Sequence, residues 1–83
     1  MTTLTPQVTA AKFLAMLKQS ESSVATISLG FRRLHRLVES LPLTTDEFCF
    51  AHNLLTSAEQ LWEEGDRHTA RYQVNLVARK LML

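Results

Sequence analysis

The sequence predicts an all-α fold, a small antiparallel bundle of about four helices near residues 6–19, 23–40, 45–64 and 67–82. Three observations carry that prediction. Apolar residues recur at intervals of three and four through most of the chain, which is the period of a helix rather than a strand. Start and stop signals fall between those runs, at Thr5-Pro6, Leu41-Pro42, Thr44 with Glu47, and Glu64-Gly65-Asp66. The composition, 46% apolar against 20% charged with Leu the commonest residue, belongs to a folded helical chain and excludes a disordered one.

Thr5-Pro6 opens the first helix, with Thr5 as N-cap and Pro6 at the first helical position, where its missing N–H costs nothing. Between Val8 and Leu17 only Thr9 and Lys12 interrupt a run that holds Ala10, Ala11, Phe13, Leu14, Ala15 and Met16. Such a helix is apolar round most of its circumference and needs two partners. Either it lies between neighbouring helices, or one side, with Phe13 and Met16, meets another molecule. Residues 19–23 break the pattern and read as a turn, with Ser22 or Ser23 free to cap the second helix.

That second helix is cleanly amphipathic. Val24, Ile27, Phe31, Leu34, Val38 and Leu41 form a heptad-like stripe, long enough for a seam against another helix but too short for a coiled coil. Gly30 lies inside it at a cost of about 1 kcal/mol relative to Ala, so it either lets a neighbour approach closely or marks a bend after a short helix over 24–29. The opposite face carries Arg32, Arg33, His35 and Arg36, the strongest charge feature of the chain, with Glu39 at helical spacing from His35 and Arg36.

Leu41-Pro42 ends that helix, because proline disfavours the α conformation in the residue before it. Thr44 and Glu47 fit a capping box, Asp46 and Glu47 suit the first turn, and Leu43 with Phe48 fits a hydrophobic staple. The third helix is expected to bury Phe48, Ala51, Leu55, Ala58 and Trp62, with Leu54 and Leu61 widening the stripe, and to expose His52, Asn53, Thr56, Glu59, Gln60 and Glu63. Glu59, Glu63 and Glu64 stand where the helix dipole disfavours anions. Arg67 and Arg71 reaching back across the turn would offset that, and the functional alternative is an acidic patch for a basic partner.

Gly65 suits a left-handed C′ position and Asp66 the N-cap of the fourth helix, so the last forty residues read as a tight antiparallel hairpin. Ala70, Val74, Val77, Ala78 and Leu81 form the inward stripe, and Arg79 and Lys80 close the helix favourably for its dipole. Tyr72 and Leu76 leave the stripe and give this helix a second apolar side. The hairpin has the general form of a helical-repeat unit, but no repeat signature or second unit accompanies it.

Length bounds the rest. Residues 1–83 fit a single helical domain, small enough that a second copy or another partner would help its burial. The formal net charge of +1 selects no class of partner. Its distribution is uneven: residues 1–41 hold five basic and two acidic side chains, net +3, and residues 42–83 hold four and six, net −2. That asymmetry suggests complementarity, the basic helix of one chain meeting the acidic end of the hairpin in another copy or in a protein partner. One cysteine allows no internal disulfide, and with neither a basic leader nor a run of eighteen apolar residues the expected setting is cytoplasmic, without transmembrane insertion.

No residue pattern points to catalysis. Cys49 and His52 are three apart on one helix, yet zinc needs about four ligands and the other histidines, His35 and His68, stand elsewhere, so Cys49 reads as a half-buried small hydrophobe. Glu59 and Glu63 offer two carboxylates without the cleft that would separate their pKa values. Phosphate loops, nucleophile elbows and paired-cysteine motifs are absent from the sequence. The expectation is therefore a non-catalytic protein–protein interaction module without cofactor, a small adaptor, regulator or chaperone acting as a homodimer and meeting another protein. Its candidate contact residues are Glu59, Glu63, Glu64, Tyr72, Leu76, Phe13 and Met16. The competing reading is a nucleic-acid-binding regulator using Arg32, Arg33, His35 and Arg36, and a small enzyme or metal-binding protein comes third.

Overall fold

A computed structural model describes residues 6–18 and 24–82, with side chains at 10–18 and 25–82. Among these, four helices form: α1 (Pro6–Lys18), α2 (Val24–Ser40), α3 (Thr45–Glu63) and α4 (Arg67–Lys80). Each falls within two residues of its expected bounds. The Thr5 cap and the turn over 19–23 lie outside the described residues, as do the side chains of Val8 and Val24. The helices pack in a closed ring, α1 on α2, α2 on α3, α3 on α4 and α4 on α1, with the α3–α4 hairpin the most extensive contact.

The stripes read from the sequence become one core. Ala10, Phe13 and Leu17 enter it from α1, Ile27, Phe31, Leu34 and Val38 from α2, Ala51, Leu55, Ala58 and Trp62 from α3, and Ala70, Val74 and Val77 from α4. Among the described residues, none of the buried ones is polar or charged. Each large aliphatic or aromatic side chain removed from water contributes about 1.5–3 kcal/mol, so this shared cluster is what offsets the ordering of the chain. Small residues decide how closely the hairpin packs: Ala51, Ala58 and Ala70 are fully buried, and short side chains on both helices bring the axes together.

Both ends of the hairpin are closed by local chemistry. At the start of α3, the Thr44 backbone N–H donates to Glu47 Oε1 at 3.0 Å and the Glu47 N–H donates to Thr44 Oγ1 at 3.2 Å, completing the capping box. Leu43 and Phe48, flanking that box, both pack against the core. At the end of α3, Gly65 takes φ +95°, its N–H donates to the Trp62 carbonyl at 3.1 Å, and the Asp66 N–H donates to the Leu61 carbonyl at 2.9 Å. This pair of bonds is the Schellman closure, which requires a left-handed residue that glycine adopts without strain. Asp66 also accepts from the Thr69 N–H through Oδ1 at 3.2 Å, so one residue ends α3 and begins α4.

Gly30 does not split α2, which runs unbroken through it. The reason for glycine lies across the interface: a Cβ at this position would overlap the edge of the Phe13 ring. Phe13 lies against bare backbone there, and its ring meets Phe31 edge to face at 4.9 Å and 77°. The helix accepts the conformational cost of glycine because α1 packs through that gap.

Gly30→Ala separates the two effects. Helix propensity alone would stabilise the variant by about 1 kcal/mol, whereas displacing a packed ring costs about 1–3 kcal/mol. Thermal or urea unfolding should show net destabilisation, partly recovered when Phe13→Leu is added. A stabilised Gly30→Ala chain would show that the gap is not needed.

Candidate functional site

The outer sides of α1 and α2 enclose a groove of about 650 Å³. Phe13 and Met16 come to it from α1, and Leu29, Gly30 and Leu37 from α2, giving an apolar floor. Lys12 borders it on the α1 side, Arg33 and Arg36 on the α2 side, with Thr26 and Ser40 completing the lining. Among the described residues, no carboxylate lines it. Leu29 is 43% exposed at the groove, which is open to solvent.

Two sets of residues that the sequence offers as rivals thus meet in one place. Phe13 and Met16 came from the surplus apolar side of α1, Arg33 and Arg36 from the basic face of α2, and they border the same groove. Phe13 contributes only a ring edge, since it is 3% exposed. Arg32 is exposed on α2 but does not line the groove. Leu29 and Leu37 were not singled out by sequence reasoning. The available signal was their spacing, eight apart with Arg33 midway, which aligns all three on one side of the helix away from the core stripe.

His35 departs from the arginines and turns to the α2–α3 seam. Its ring lies 5.4 Å from that of His52, edge to face, and His52 stacks on Phe48 at 5.8 Å. Burial pushes the His35 pKa below its usual value, and the neighbouring His52 pushes it the same way, against the opposing pull of Glu59 and Glu39. Glu59 is accordingly half-buried near this seam rather than on a solvated outer face. Glu63 and Glu64 stay exposed, with Gln60 Nε2 donating to Glu64 Oε1 at 3.1 Å.

Arg67 does reach back across the turn, but onto an aromatic face rather than a carboxylate: its guanidinium carbon stands 4.9 Å from the centre of the Trp62 ring. The planar cation gains there a partner that the helix end itself fixes in place. Tyr72 is 60% exposed and Leu76 half-buried, so the second apolar side of α4 exists but is thin. Cys49 is exposed and unpaired rather than half-buried, because it falls on the far side of α3 from Ala51 and Leu55. Among the described residues, no group of three or more His, Cys, Asp or Glu side chains converges as a metal site would need. Among them also, no helix is long and apolar enough to cross a membrane.

No protein-family model, curated protein sequence or solved structure matches this chain.

The histidine seam makes stability pH-dependent with a definite sign. Lowering the His35 pKa in the folded state means that the unfolded chain binds the proton more readily, so stability is complete above the unfolded value of 6.5 and is lost as pH falls from there through the lower folded value. Melting curves between pH 7.5 and 5.5 should show that loss, and His35→Gln should flatten it. Equal slopes for the two chains would remove His35 as the cause.

Proposed function

We propose that this chain works by contact, as a non-catalytic protein-interaction module of the adaptor, regulator or small-chaperone kind, with the α1–α2 groove as its recognition surface. One observation carries the reading: an open apolar floor that retains Leu29 in solvent, bordered by three cations and, among the described residues, by no anion. Burying such a floor against a partner supplies affinity, and a charged rim supplies orientation and rejection of wrong partners. Self-association, the other half of the proposal, would use the opposite side of the ring near Tyr72 and Leu76. Groove-to-groove pairing is unfavourable because, among the described residues, the charges each copy would bring to the seam, Lys12, Arg33 and Arg36, are all cations.

Two measurements test these halves separately. Proteins retained from cell extract by the immobilised chain should be lost from Leu29→Lys, whose exposed position leaves the fold intact by circular dichroism. Retention of the same proteins by both chains would remove the groove from the proposal. Light scattering at tens of micromolar should report the dimer mass, and a monomer would remove the homodimer while leaving the groove untouched.

The nucleic-acid reading keeps one observation in its favour, the joint exposure of Arg32, Arg33 and Arg36 on α2. Against it, phosphate contact makes no use of an apolar floor, and Phe13, the one aromatic lining residue among the described residues, is too buried to stack on a base. Generic duplex titrated at two salt concentrations should show no salt-sensitive binding. Binding that weakens with salt and disappears when the three arginines are neutralised would displace the protein partner.

A further inference from the structure

We propose that the α1–α2 groove takes an amphipathic helix whose apolar stripe is flanked on both sides by carboxylates. This rests on the interaction-module reading and names the chemistry of its partner.

The dimensions select a helix face. Residues Thr26 to Ser40 of α2 border the groove and at 1.5 Å per residue extend over about 21 Å, roughly four helical turns, while Lys12 to Met16 of α1 face it over about one turn. A partner helix of that length presents three or four anchors at i, i+3 or i+4, and i+7 spacing, the pattern by which helices settle in apolar grooves. A small molecule is a poorer match. Sites for such ligands enclose most of the ligand surface, whereas this groove is open to solvent and runs along α2.

Charge selects the sign and its placement. Lys12 meets the groove from α1 and Arg36 from α2, with Arg33 between Leu29 and Leu37, so both flanks of an inserted stripe would face cations. Arg33 and Arg36 are three apart on one helix and match carboxylates one turn apart on the partner. Carboxylates on one side only would leave a wall unanswered. A second copy of this chain does not meet the description among the described residues. Its acidic helix is α3, and the apolar stripe of α3, Ala51, Leu55, Ala58 and Trp62, is spent in its own core.

The test uses the full chain and two labelled synthetic helices of about 14 residues with the same leucine stripe, one flanked by glutamates and one by lysines. Fluorescence anisotropy should show that the glutamate peptide binds, that binding weakens as salt rises, and that the lysine peptide binds at least about tenfold more weakly. The double variant Arg33→Glu with Arg36→Glu should lose the glutamate peptide by about tenfold or more and gain the lysine peptide. A merely structural role for these arginines would produce the loss without the gain. Equal affinity for the two peptides, or no binding of either, would overturn the proposal. So would binding to phosphatidylglycerol vesicles by a chain that ignores the glutamate peptide, since the occupant would then be a lipid surface. Failure here with capture still abolished by Leu29→Lys would mean a partner of other chemistry in the same groove. Failure of both would remove the interaction-module reading as well.

Discussion

The position of α1 depends on a missing methyl group. Because Gly30 carries no Cβ, the Phe13 ring lies on the α2 backbone, where it meets Phe31 edge to face, and α1 is held at a distance that a larger residue would forbid. That contact sets how α1 stands against α2 and therefore what lies between their outer sides. Phe13 belongs to the core and to the groove lining together, and Gly30 lines the groove beside it. Core packing and the shape of the candidate site are thus coupled, since interiors transmit a change of even one methylene to their neighbours.

The α3–α4 hairpin is the opposite case, a unit specified by its own sequence. Thr44 and Glu47 satisfy each other at one end, and at the other Asp66 donates its backbone N–H to close α3 while its carboxylate accepts from the first turn of α4. The hydrogen bonds with Thr44 also hold the Glu47 carboxyl below its usual pKa. The capping box is therefore strongest above the ordinary carboxylate range and weakens as pH falls below it. The ring of helices combines this locally specified hairpin with a pair, α1 and α2, positioned by tertiary contact.

That difference explains what could be read from the sequence. Caps, the glycine turn and the period of the apolar stripes act within a few residues, so helix bounds and core membership were legible from Ile27, Phe31, Leu55 and Val74 alike. Partners across an interface are not local. His35 stands one turn after Phe31 and so beside the core stripe, a spacing that already separates it from Arg33 and Arg36 and that reading the four as one face overlooks. What the spacing could not show is that the neighbour it meets in the α2–α3 seam is His52. Arg67 was legible as a residue that reaches back across the turn, but its choice of the Trp62 face over Glu63 depends on where the ring comes to rest. The same holds for the groove: Phe13 and Met16 on one helix and Arg33 and Arg36 on another were visible separately, and only the docking of α1 on Gly30 joins them.

Stability alone does not account for how the charges are placed. Arg32 and Arg36 are four apart, as are Glu59 and Glu63, and like charges at that spacing destabilise a helix by a few tenths of a kcal/mol. Glu59 favours the protonated form of His35, but burial and His52 hold that pKa down, so the glutamate pair gains little from the seam. Arg36 has Glu39 three residues on, whereas Arg33 has no carboxylate three or four residues away on its own helix and borders, among the described residues, a groove lined by no anion. A sequence shaped by stability alone would have placed a carboxylate one turn from Arg33 as well, because a few tenths of a kcal/mol per pair is easily gained on an exposed helix. Local rules are broken without structural return most often at functional positions. An acidic helix in the groove would supply Arg33 with the carboxylate that its own helix does not, at a spacing that Arg33 and Arg36 already fit.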